Sequence, residues 1–157
     1  MMKIRAYTDG ACSENPGPGG WGAVINTHDD CVTISGYELE TTNNRMELRA
    51  VIECIANVLE NYKSSIDLEI YSDSAYVVNA INKNWLIKWN KNGWKTAKGD
   101  DVKNKDLWRK LWFLLPVPNS LKFIKVKGHS GDTFNELVDK LAREESLKAK
   151  DILKKSR

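Results

Sequence analysis

Met46, Val51, Ile55, Val58, Leu59 and Tyr62 recur at three- and four-residue spacing, a long apolar stripe of helical period between two groups of strand-like runs. Ahead of it, Ile4 to Asp9, Trp21 to Asn26 and Val32 to Tyr37 read as three consecutive strands with glycine-rich or polar turns between them, which predicts an antiparallel meander. Thr42, Asn43 or Asn44 suits the helix N-cap. Behind it, Leu68 to Ser72 is a short run suited to a buried strand, and Ser74 to Ile81 returns to a helical pattern, as a strand and crossover helix would. Lys103 to Leu115 reads as a further helix stopped by Pro116 and Pro118, Leu121 to Lys127 as a strand, and Asn135 to Leu147 as a last amphipathic helix. This order predicts an α/β fold with a mixed sheet, three antiparallel strands and then parallel ones, flanked by helices. The basic stretch from Lys148 to Arg157 reads as a loose tail.

A chain of 157 residues, 41% hydrophobic with six Trp, has material for one core, so residues 1–147 are expected to form a single domain. Cys12, Cys31 and Cys54 are odd in number and include no CxxC pair, which argues against a disulfide framework and fits a reducing, cytoplasmic setting. The longest apolar stretch, around Trp112 to Leu115, is too short to span a bilayer, and secretion and membrane insertion are both disfavoured. A monomer is the default expectation.

Asp9 and Asp73 close the first and fourth strand-like runs, at Tyr7-Thr8-Asp9-Gly10 and Tyr71-Ser72-Asp73-Ser74. The carboxyl edge of an open α/β sheet is where ligands usually bind, although an Asp before Gly or Ser also makes an ordinary turn or cap. Glu47 lies in line with Val51 and Ile55, which sets a carboxylate in the apolar stripe of its helix, where it needs a partner. The helix dipole offers a simpler account of a first-turn Glu. Asp139, between Val138 and Lys140, reads alone as a solvated surface acid.

Were the four to meet, each pair of carboxylates about 4 Å apart would repel by about 4 kcal/mol at an effective dielectric near 20, so cations would be required. An all-oxygen ligand set suits Mg²⁺ or Mn²⁺, and two such ions about 4 Å apart can activate a water and stabilise the leaving oxygen of a phosphodiester. With His28 and His129 as the two histidines, a histidine-rich zinc site is disfavoured. His129, in the loop Lys127-Gly128-His129-Ser130-Gly131, is suited to proton transfer, though a loop histidine is usually just solvated.

The net charge is only +3, but Lys83 to Lys105 holds seven lysines against two aspartates, interleaved with Trp85, Trp89 and Trp94. Lysines that neutralise phosphates and tryptophans that face sugars or bases together suggest nucleic-acid binding. Trp89 belongs to that set, and Lys88, Lys91 and Lys95 are the phosphate candidates; the competing reading is a solvated helical hairpin whose tryptophans pack into the domain, which suits Trp94 and Trp108.

Tyr7-Thr8-Asp9-Gly10-Ala11-Cys12 with Asn15-Pro16-Gly17-Pro18-Gly19-Gly20, Thr41-Thr42-Asn43-Asn44-Arg45-Met46-Glu47-Leu48, Ser72-Asp73-Ser74, and Val126-Lys127-Gly128-His129 with Asn135 to Asp139 resemble, in order, the motifs of type 1 ribonuclease H of the bacterial kind. The similarity runs from about Lys3 to Arg143. It implies a ribonuclease H-like fold with a five-stranded sheet, and an endonuclease that cuts the RNA strand of an RNA/DNA hybrid, leaving 5′-phosphate and 3′-hydroxyl ends. By the resemblance, Asp9, Glu47, Asp73 and Asp139 bind two Mg²⁺ ions, which hold the scissile phosphate and a water for in-line attack, with Mn²⁺ as a substitute. His129 would assist proton movement or product release. Asn15, Asn43 and Asn44 match positions that reach the minor groove, where 2′-hydroxyls distinguish RNA from DNA. Thr42 matches a position that holds a DNA phosphate, and Trp85 one that abuts a DNA sugar.

The stretch 83–105 resembles the family's basic protrusion in diluted form: Asn90 and Asn92 stand where basic residues are common, Ala75 replaces a larger polar residue, and Glu40 lies near the phosphate pocket. These departures bear on affinity rather than chemistry. The alternatives are another nuclease or transferase of the same fold, such as a junction resolvase or transposase core, and a non-catalytic hybrid-binding module.

Overall fold

The computed structural model describes residues 1–127 and 132–156. Its elements are β1 (Met2–Cys12), β2 (Gly17–Asn26), β3 (Cys31–Thr41), α1 (Asn43–Asn61), β4 (Ile66–Ser72), α2 (Ala75–Asn82), α3 (Trp85–Lys91), α4 (Lys105–Leu114), β5 (Ser120–Lys125) and α5 (Thr133–Lys155). The five strands form one sheet in the order β3-β2-β1-β4-β5. β1 to β3 pair antiparallel, and β4 and β5 join parallel, as the sequence pattern predicts.

α1 starts at Asn43 because Thr42, in extended conformation, accepts the Arg45 N–H on its hydroxyl, the usual work of an N-cap. Its buried stripe of Leu48, Val51, Ile52, Ile55 and Val58 packs on Ile4, Ala6, Leu68 and Ile70 of the sheet, and Leu107, Trp108 and Leu111 of α4 join the same core, while Met46 packs with Trp21 in a smaller cluster. α5 covers the opposite face. Its backbone lies so close to β2 that a Cβ on Gly20 would stand 2.5 Å from Ala142 O and Ser146 N, a separation only glycine permits.

Several boundaries differ from the sequence reading: β2 starts at Gly17 rather than Trp21, β3 runs to Thr41 rather than Tyr37, and β1 and α5 are both longer than expected. β1 does not end at Asp9. It runs on to Cys12, because β2 continues to pair with it after β4 has stopped at Ser72. The sheet therefore forks beside Asp9. The expected loose tail is instead the last turns of α5, which continues to Lys155: Ala149 is fully buried, and Lys148 Nζ lies 2.8 Å from the buried Glu145 carboxylate. A charged sequence hid a helix whose last turns are held by the buried Ala149 and by the Lys148–Glu145 and Lys155–Asp151 ion pairs. Truncation after Leu147 is expected to lower the melting temperature by about 3–8 °C in calorimetry, at roughly 2–4 °C per kcal/mol, with nuclease activity retained.

Candidate active site

The parallel register pairs Thr8 with Ser72, so the next residues, Asp9 and Asp73, emerge side by side at the fork of the sheet. Glu47, in the first turns of α1, reaches the same point. Each of the three offers a carboxylate oxygen, and these atoms lie within 4.8 Å of one another. Asp9 and Glu47 are both 8% exposed, whereas Asp73 is open to solvent. The Gly10 N–H is the local organiser, 2.9 Å from Asp9 Oδ1 and 2.7 Å from Glu47 Oε1. It lies close to both because Gly10 has no side chain to hold α1 away: a Cβ there would be 2.5 Å from the Met46 carbonyl carbon.

Burial raises the Asp9 carboxyl to about 7, and the charges of Asp73 and Asp139 push in the same direction. Burial likewise lifts Glu47 well above the usual carboxylate range, with the Asp9 charge adding to it. Glu47 Oε2 is buried without a hydrogen-bond partner among the described residues. An orphaned buried carboxylate oxygen beside two further carboxylates is the donor set a hard divalent cation satisfies, so the residues fit such an ion.

Asp139 enters from α5. It lines, with Thr8, Asp9, Asp73, Asn135, Lys140 and Arg143, a cleft of about 370 Å³. It is not part of the close triad, and its Oδ2 lies 2.9 Å from Arg143 Nε, one turn on. His129 lies outside the described residues.

The other predicted contacts fall into two groups. Asn15, Thr42, Asn43 and Asn44 come together at the α1 N-terminus, where the Asn43 N–H donates to Asn15 Oδ1 at 3.1 Å and leaves the Asn15 amide hydrogens as the donor end. Thr42 uses an oxygen lone pair as the cap and keeps its hydroxyl proton. Arg45 secures this corner, donating through Nε to Glu38 and through both Nη atoms to Asp106 of α4, at 2.9–3.0 Å. Sequence reasoning gave Arg45 no role, because Glu38 lies on another element and Asp106 is 61 residues away.

The second group lies on α3 and the loop after it. Lys88 and Lys91 are exposed, with no ion pair among the described residues, while Lys95 is paired with Asp101 at 2.6 Å. Trp85 and Trp89 are half-buried with ring centroids 6.2 Å apart, and Trp89 also abuts Trp94 and Trp108. Trp94 and Trp108 are buried, as the packing alternative predicts. Trp94 has φ of 62°, a strained value for a bulky residue. It is held there by Trp89 and Trp112, which fixes where the loop bearing Lys95 leaves the domain.

The sequence profile of the RNase H family matches residues 1–147. Ribonuclease H of Caldicellulosiruptor saccharolyticus is 52% identical over 143 residues, 91% of this chain and 95% of that one. The chain belongs to the ribonuclease H family. Among solved members of that family, LC9-RNase H1, a type 1 RNase H with the type 2 active-site motif, superposes with a TM-score of 0.80 at 28% identity, covering 93% of this chain and 72% of that one. LC11-RNase H1, solved in complex with an RNA/DNA hybrid, shares the fold with a TM-score of 0.72 at 24% identity, over 93% of this chain and 98% of that one. Members of the ribonuclease H family are hydrolases that use divalent metal ions, and the acidic triad lies where such an ion can be held.

Proposed function

We propose that this chain hydrolyses the RNA strand of RNA/DNA hybrids with two Mg²⁺ ions, leaving 5′-phosphate and 3′-hydroxyl ends, as a cytoplasmic monomer. The observation that carries the reading is the meeting of Asp9, Glu47 and Asp73 within 4.8 Å, on the motifs that resemble the family's. Asp9, Glu47, Asp73 and Asp139 would hold the ions, which when bound supply Lewis-acid activation of water and charge stabilisation at the leaving oxygen. The chain's own residues position the rest. The Gly10 N–H fixes two of the four carboxylates, and Arg45 braces the α1 N-terminus between β3 and α4. Asn15, Asn43 and Asn44 present amide groups to 2′-hydroxyls in the minor groove, and Thr42 takes a DNA phosphate. Trp85 and Trp89 meet the sugar edge, while Lys88, Lys91 and Lys95 meet phosphates. His129 assists proton movement or product release. No helix among the described residues is long and apolar enough to cross a membrane.

The direct test incubates the protein with an end-labelled RNA/DNA hybrid in Mg²⁺ or in chelator, beside single-stranded RNA, duplex RNA and duplex DNA. Cutting is expected only in the RNA of the hybrid and only with the ion. Binding without cutting would replace this reading with a hybrid-binding module, and DNA cleavage would replace it with a resolvase or transposase activity. Lys88→Ala with Lys91→Ala is expected to raise KM about 3- to 30-fold at moderate salt with kcat little changed, and to flatten the salt dependence of KM by about two phosphate contacts.

A further inference from the structure

Arg143 is the cation nearest Asp139, and it lies on the rim of the metal cleft. Its side chain is 64% exposed and that of Asp139 28%, so the guanidinium can leave for solvent without disturbing packing. Lys140 lines the same cleft with the same charge, but its Nζ lies 3.8 Å from Glu144, directed along α5 and away from Asp139. The triad of Asp9, Glu47 and Asp73 forms without the fourth acid, whose Oδ2 is already engaged.

We propose that Arg143 is a displaceable counter-cation for Asp139, which competes with a divalent ion for that carboxylate and so raises the ion concentration at which the site fills. The inference rests on the metal-binding reading of the cleft and deepens it. A guanidinium and a divalent ion at one carboxylate repel each other and divide its charge, so the ion must displace the guanidinium from Oδ2 or accept a weaker hold on Asp139. Because the pair is exposed and of i,i+4 type, its competition is modest, a matter of a few-fold in affinity rather than decades. An acid that no other described cation contacts would bind the ion more tightly but would stand uncompensated beside Asp9 and Asp73 when the ion is away.

The test titrates Mn²⁺ and Mg²⁺ into the protein without nucleic acid. Binding is read by calorimetry, and for Mn²⁺ by the loss of the free-ion paramagnetic signal. Arg143→Ala is expected to lower the midpoint of the weaker binding phase about two- to five-fold, corresponding to about 0.4–1 kcal/mol at 1.36 kcal/mol per decade, with the ion-free melting temperature unchanged within about 1 °C. Arg143→Lys should fall between the two, and the effect should vanish in an Asp139→Asn background. Lys140→Ala, which removes the same charge from the same rim, should shift the midpoint less. An unchanged or higher midpoint in Arg143→Ala, an equal shift in Lys140→Ala, or a shift that persists in Asp139→Asn overturns the proposal while leaving the site's function intact. Failure of the unaltered chain to bind either ion overturns both.

Discussion

Asp9→Asn is expected to abolish hybrid cleavage, by at least about 10³-fold, while making the ion-free protein more stable at pH 8. The loss follows from removing a ligand that borders both other acids of the triad, at several kcal/mol of transition-state stabilisation. The gain follows from the titration of the buried carboxyl. Asp9 is raised from an ordinary 3.8 to about 7, so between those values the folded chain holds a proton that the unfolded chain has released. Its contribution is therefore full below about pH 4 and is lost as the pH rises through about 7. An amide has nothing to lose. The melting temperatures of variant and wild type should coincide near pH 4, diverge steadily as the pH rises toward about 7, and keep a constant gap above it. By pH 8 the variant should be higher by about 8–16 °C, since a shift from 3.8 to about 7 is worth about 4 kcal/mol, at about 2–4 °C per kcal/mol. Saturating Mg²⁺ should raise the wild type at pH 8 and erase the gap. Equal melting temperatures at pH 8 without ion would show that the carboxyl is not held in the buried state described, whatever the activity.

Gly10→Ala is expected to be nearly as damaging to catalysis and, unlike Asp9→Asn, to weaken the fold. A methyl group at this position would meet the Met46 carbonyl carbon at 2.5 Å and the Glu47 backbone nitrogen still closer, both of them helix backbone that cannot rotate aside. α1 must move away from β1. That movement separates Glu47 from Asp9 and withdraws the N–H that serves both carboxylates. A displacement near 1 Å costs roughly 10²-fold in rate, and overpacking of this kind costs about 1–3 kcal/mol of stability. Steady-state cleavage and urea denaturation of one preparation measure both. Wild-type kcat in a destabilised variant would show that the α1–β1 spacing does not set the site.

The acids were legible to different depths. Glu47 stood out because a carboxylate in line with Val51 and Ile55 contradicts the helical apolar stripe unless something meets it, and the structure places it 8% exposed beside Asp9. Asp139 carried no such contradiction, since a half-exposed acid on an amphipathic helix looks like any surface residue. It became visible only through the order of motifs, and its pairing with Arg143 only through coordinates. The strand order follows from short runs and a long helix, but the fork at Asp9 does not, because it depends on β4 stopping while β2 continues. α3 was legible only as an unbounded helical-hairpin alternative for Lys83 to Lys105, because seven residues around two Trp are too short to display a period. In the Glu38–Arg45–Asp106 bracket, Arg45 and Asp106 are 61 positions apart, a distance no local pattern spans.

The two covered faces of β2 bear on synthesis. Glu47 arrives on the helix that covers one face, and Asp139 on the helix that covers the other and follows every strand in the chain. On a ribosome, β1 to β5 can emerge and pair while Gly20 and Gly22 still lie bare, with the three-acid group formed and the fourth acid not yet made or not yet docked. On the proposed four-acid ligand set, nuclease competence would wait for the docking of α5, and a nascent chain would hold an incomplete ion site from the emergence of Asp73 until then.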